Sequence, residues 1–155
     1  MTEKTTARET GATPTAVIAE DASPRSQDAQ DQVSIRMPAE GAYLSVLRTA
    51  TAGLAARLDF TLDEIEDLRI AVDEACGMLL GQAVPDATLD CDFSLSEDSM
   101  SIAVSAVCRR AEPPARDTFA WTVLAALAGS ADAWAGPGQR VTVRLRKIRE
   151  SSRPG

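Results

Sequence analysis

TLDEIEDLRIAVDEACGMLLG, residues 61–81, is the stretch on which the fold turns. Ile65, Leu68, Val72, Ala75, Cys76 and Leu79 recur at the three- and four-residue spacing of a helix with one buried stripe. Thr61 and Glu64 carry the capping-box pattern at its start, and Gly81 followed by Pro85 supplies its stop signals. Almost opposite the stripe, Glu74 lies between Ile70 and Met78, one turn away on either side. A carboxylate held against apolar neighbours is poorly solvated, which is one way a general base is made. The competing reading is a surface glutamate whose stem packs on two neighbours. Asp73 follows Arg69 by four residues, a spacing that predicts an exposed ion pair worth about 0.3 kcal/mol.

Working outward, QVSIRM at 32–37 alternates in the period of a half-buried strand and is stopped by Pro38. Leu44, Leu47, Leu54 and Leu58, with Ala50 and Thr51 between them, predict a first amphipathic helix from Ala39 to Arg57. After the long helix, Leu89, Cys91, Phe93 and Leu95 alternate, the polar turn SEDS follows, and Met100, Ile102, Val104 and Ala106 alternate again as the second arm of a hairpin. CRRAEPPAR at 108–116 is a loop, because adjacent prolines lack amide donors and restrict what precedes them. A third helix is expected over 117–127, a short strand at SADAW, and a last strand at VTVRLRKI. The expected order is therefore β, α, α, β, β, α, β, β. It implies an α+β two-layer sandwich, a mostly antiparallel mixed sheet with its helices on one face.

The chain has 155 residues with 45% hydrophobic content, enough for one domain with a real core. Residues 1–30, rich in Thr, Ala, Ser, Asp and Gln, are expected to form a disordered tail, 31–149 the domain, and 150–155 a short flexible tail. No apolar run reaches the length that crosses a bilayer and the start is polar, so a cytoplasmic protein is expected. Histidine is absent, which removes the commonest general base and zinc ligand. Cys76, Cys91 and Cys108 are isolated and odd in number, the pattern of core packing rather than of disulfides or a metal site. A net charge of −7 argues against direct nucleic-acid binding. The local exception is Arg140, Arg144, Arg146, Lys147 and Arg149, read as the charged solvent face of an edge strand in preference to a binding patch.

With element order and motifs in place, LRIAVDE at 68–74 and AVPDATL at 83–89 make the region from Val33 to Ile148 resemble the RsbW/SpoIIAB anti-sigma factors, serine kinases of the GHKL ATPase fold, in their actinobacterial branch. In that family the long helix carries Glu-x-x-x-Asn, a general base and a magnesium ligand. The resemblance places Glu74 at the glutamate and Met78 at the asparagine, and a soft thioether is no substitute for a hard oxygen ligand. The family's Asp-x-Gly-x-Gly box, which recognises adenine, is matched here by AVCRRAEPP, and its Gly-x-Gly before the third helix by DTFAWTVL. No glycine occurs between Gly81 and Gly129, although close backbone approach to phosphate depends on it.

The resemblance implies an anti-sigma factor that sequesters an alternative sigma factor and is released by a STAS-type anti-anti-sigma protein. Arg48 falls at the family's partner-contacting arginine of the first helix, and a homodimer is implied as well. No cofactor is expected, ATP and magnesium entering only if the degenerate site still functions. Alternative readings are an active serine kinase acting on its STAS partner through Glu74, and a regulator that binds some other protein, for instance through CRRAEPPAR.

Overall fold

A computed structural model describes residues 31–150; the tail expected at 1–30, and all of the tail expected at 150–155 except Glu150, lie outside the described residues. The chain runs β1 (Asp31–Pro38), α1 (Leu44–Arg57), α2 (Leu62–Leu80), β2 (Thr88–Leu95), β3 (Ser99–Val107), α3 (Phe119–Ala128), β4 (Ser130–Ala135) and β5 (Arg140–Ile148). Short 3₁₀ turns at Gly41–Tyr43 and Pro137–Gln139 precede α1 and β5. The expected element order is present. The first helix starts at Leu44 rather than at the expected Ala39, because residues 39–43 after Pro38 are spent on the turn into it.

The five strands form one sheet in the order β1-β2-β3-β5-β4, and every pairing is antiparallel, from Val33 opposite Phe93 to Ala133 opposite Val143. The sheet is therefore not mixed: α1 and α2 return the chain beside β1 in the opposite sense, and β4 and β5 form a hairpin on the far side of β3. Alternation sorts the side chains. Leu89, Cys91, Phe93, Met100, Ile102, Val104, Val141, Val143 and Leu145 are buried beneath the helices, and among the described residues the opposite face of the sheet carries no helix. Completely burying a side chain of this size contributes about 1.5–3 kcal/mol.

α2 lies between α1 and α3, and Leu68, Val72, Ala75, Cys76 and Leu79 of its stripe are buried with Ala71. Its capping box forms as the sequence predicts: the Thr61 hydroxyl accepts the Glu64 N–H at 3.1 Å, and Glu64 accepts the Thr61 N–H at 2.9 Å. The other Glu64 oxygen accepts the N–H of Glu150 at 2.7 Å, which ties the end of β5 to the start of α2.

The basic cluster near the C-terminus resolves differently from its edge-strand reading. β5 is paired on both sides, so β1 and β4 are the edges. Lys147 shares the buried face with Leu145, and its Nζ donates to the Leu127 carbonyl at the end of α3 at 2.9 Å. Arg149 turns to the carbonyls of Leu58 and Glu97. Only Arg140, Arg144 and Arg146 remain on the open face.

Candidate functional site

Glu74 and Ile70 lie off the buried stripe of α2, and Met78, one turn beyond Glu74, is half-buried. Glu74 is half-buried, and among the described residues it has no hydrogen-bond or ion-pair partner. Met78 packs against the core, whereas Ile70 is 41% exposed. Glu74 is thus apolar-walled on the Met78 side and open on the Ile70 side. Met78 leaves no oxygen ligand one turn beyond the carboxylate.

Beyond β3 the chain does not open into a glycine loop. Cys108 is buried and bridges Ala83, and the Arg109 N–H donates to the Gln82 carbonyl at 2.8 Å. The Arg109 guanidinium donates to the Gly81 carbonyl at 2.9 Å, placing a cation at the C-terminal end of α2, where the helix dipole favours it. From the other side, Gln139 accepts the Cys108 N–H at 2.9 Å and donates its side-chain amide to the carbonyls of Cys108 and Arg109 at 2.8 and 3.0 Å. Gln139 holds a left-handed backbone, φ 61°, to make these bonds, a conformation costing an L-residue roughly 1 kcal/mol. The N–H and carbonyl groups of Cys108 and Arg109, and the Arg109 guanidinium, are therefore bonded to the chain itself.

The start of α3 is closed in the same way. The Thr118 hydroxyl accepts the Trp121 N–H at 3.2 Å, occupying one of the first-turn amides that a phosphate would need. Trp121 is buried, and the Arg116 guanidinium lies 4.9 Å from its ring while pairing with Asp132 at 2.6 Å. The Asp132 carboxyl is held below the usual aspartate range, first by that Arg116 hydrogen bond and then by the Ala133 N–H. A 560 Å³ cleft does open under the connecting loop, lined by Gln82, Arg109, Arg110 and the residues from Glu112 to Ala115, but neither Glu74 nor Met78 borders it.

Arg48 of α1 is half-buried and crosses to α2, where its Nη1 meets both Asp73 oxygens at 2.9 and 3.1 Å. The expected Arg69–Asp73 pair is absent. Packing of α1 against α2 brings Arg48 to Asp73, and Arg69 pairs with Glu66 one turn back at 3.1 Å. Beside Arg48, Tyr43 and Val46 are exposed large side chains on the same helix entry, and Glu40 and Ser45 are exposed too. Sequence reasoning missed Asp73 as the partner of Arg48, and it missed Arg109 and Gln139 altogether. Nothing in local periodicity marks contacts made across 25 or 30 residues.

The geometry is that of a two-layer sandwich whose long helix carries Glu74. At 36% identity over 96 residues the chain is similar to the anti-sigma-F factor RsbW of Mycobacterium tuberculosis, an alignment covering 62% of this chain and 57% of that protein. The chain is similar to RsbW proteins over this part of their length. A second RsbW, the serine-protein kinase of Halalkalibacterium halodurans, is 37% identical over 76 residues, 48% of this chain and 47% of its own length. The chain thus matches about half the length of these curated RsbW relatives. No family model matches it. Among solved structures, the RsbU and RsbW domains of Rv1364c from Mycobacterium tuberculosis superpose with a TM-score of 0.62 at 16% identity, covering 81% of this chain and 34% of that one, which shows the shared fold. No described helix is long and apolar enough to cross a membrane.

Proposed function

We propose that this RsbW relative is an anti-sigma factor that acts by binding alone. It sequesters an alternative sigma factor through the surface of α1 and α2 that carries Arg48, and yields it to a STAS-type antagonist without phosphoryl transfer. The observation that carries the reading is the pinning of residues 108 and 109. Backbone that would have to yield to adenine is bonded to Gln82 and Gln139, and the Arg109 head to Gly81. Met78 in place of an oxygen ligand and the internally capped start of α3 support it independently. Assembly as a homodimer belongs to the same proposal.

A second reading, a serine kinase with Glu74 as base, is favoured by the half-open position of Glu74 and by relatives named serine-protein kinases. It requires the Arg109 and Gln139 contacts to break before nucleotide enters. Radiolabelled ATP with the purified STAS partner separates the two. Transfer to serine that vanishes in Glu74→Ala would establish the kinase.

Binding is tested by native co-purification, where a sigma factor or a STAS protein is expected with the wild-type chain. Arg48→Glu is expected to reduce sigma capture by about tenfold or more, as loss of an interfacial arginine commonly does. Its thermal midpoint should move only a few degrees, because a half-exposed ion pair contributes about 0.5 kcal/mol. Undiminished capture removes Arg48 as a contact. Absence of both partners removes the proposal.

A further inference from the structure

The face of the sheet that carries no helix is divided into two unlike halves. Toward β1, Arg36 and Arg140 share the two oxygens of Asp90 at 2.8 and 2.9 Å, so that half neutralises itself. Toward β4, Arg144 and Arg146 stand on β5 with small residues around them. Ser101 and Ser130 are the cross-strand partners of Arg146, and Ala103 and Asp132 those of Arg144. Asp132 is already paired with Arg116. Three arginines against one aspartate leave two positive charges in a 620 Å³ depression, on a chain whose net charge is −7.

These guanidinium groups are little used within the fold. Arg144 makes no hydrogen bond among the described residues, its head lying 5.1 Å from the Trp134 ring. Arg146 makes one long bond, to the Ser99 hydroxyl at 3.3 Å. Edge protection does not account for them, because β5 is an interior strand. Past Arg146 and Ser130 the depression continues into a 170 Å³ notch against Gly129 and Ile148, so it runs as a groove along the strand direction.

Arg144 and Arg146, two residues apart on one face, repeat at about 6.6–6.8 Å, the same repeat at which alternate residues of any extended peptide present their side chains. A guanidinium binds a carboxylate through a planar pair of donors. We propose that this groove docks an extended segment of a partner protein bearing acidic residues at alternate positions, their carboxylates on Arg144 and Arg146 and an apolar side chain in the Ile148 notch. Single-stranded nucleic acid fits less well: the Trp134 ring is covered by Arg144 where a base would stack, and the overall field repels phosphates. The surface is distinct from the Arg48 face and does not depend on the sigma-factor reading.

The test is an NMR titration of the full chain with a synthetic peptide carrying glutamate at three alternate positions, and with a control carrying glutamine there. Expected are shifts confined to β4, β5 and the Trp134 indole, weakened by salt and absent with the control. Affinity should fall about tenfold in the Arg144→Ser, Arg146→Ser double variant and comparably in Ser101→Glu, while Arg48→Glu leaves it unchanged. Arg144 and Arg146 are exposed and Ser101 is only half-buried, so the folded spectrum should survive these changes. The proposal is overturned if the peptide produces no shifts at millimolar concentration, or if both groove variants bind as the wild type does. It is equally overturned if an oligothymidine binds these residues more tightly than the peptide, or if sedimentation finds this face buried between two copies of the chain.

Discussion

Replacing Glu64 by glutamine removes one negative charge from a place where the structure uses both carboxylate oxygens. Glu64 is 2% exposed, with one oxygen on the Thr61 N–H and the other on the Glu150 N–H. Glutamine keeps one carbonyl acceptor and turns an amide NH₂ toward the remaining donor. The variant thus loses one charge-assisted hydrogen bond, about 1.5–3 kcal/mol, and leaves a buried N–H facing another N–H. A total of about 2–3 kcal/mol corresponds to a fall in thermal midpoint of roughly 8–12 °C for a domain of this size. The pH dependence carries a second signature. Desolvation pushes this carboxyl up, but the Thr61 and Glu150 N–H groups, the Thr61 side chain and the charge of Lys147 together hold it below the ordinary glutamate value of 4.5. A group whose folded value is depressed stabilises the fold above its unfolded value and loses that contribution as pH falls through the folded one. The gap between wild type and Glu64→Gln should therefore be full at neutral pH and narrow progressively below about pH 4.5. Thermal unfolding followed by circular dichroism at pH 7, 5 and 3.5 reads both effects. A gap under about 2 °C at pH 7, or one that does not narrow with acid, refutes the reasoning.

Two further expectations concern the core. Lys147→Ala removes both a buried stem and the bond to the Leu127 carbonyl, and should cost about 2 kcal/mol in denaturant unfolding; a cost below about 0.5 kcal/mol would mean that α3 needs no such cap. The thiols of Cys76, Cys91 and Cys108 are all pushed up by burial, that of Cys76 to about 12 with the Asp73 charge adding to the effect. At pH 8 they should resist a thiol reagent in the folded chain and all react once it is unfolded, and rapid labelling of any of them in the native state would contradict their burial.

Local pattern carried most of the fold. The stripe of α2, its capping box and the alternation of four strands are repeats of two or of three to four residues, and burial follows them. The same alternation places Lys147 with Val141, Val143 and Leu145, yet a lysine ending a basic run is easily taken for surface. Its burial depends on a carbonyl that α3 supplies from 20 residues away. Strand order was not legible, because nothing in VTVRLRKI says that β4 will pair on its outer side, and so the arginines of an interior strand looked like edge protection. The antiparallel sense of every pairing likewise depends on how the helices return the chain. At the candidate site, the spacing of Glu74 and Met78 was readable on one helix, but that Met78 packs against the core was not. The contacts of Arg48 with Asp73 and of Gln139 with the Cys108 and Arg109 carbonyls were not, since each joins elements whose juxtaposition is settled by packing.

Whether the chain has lost nucleotide binding is read by isothermal calorimetry of the full chain titrated with magnesium ATP, alongside Glu74→Ala. No saturable heat is expected up to millimolar nucleotide for either protein, because the segment at 108 and 109 and the start of α3 are bonded to the chain itself. Saturable binding by the wild type that requires magnesium and is lost in Glu74→Ala would contradict this expectation.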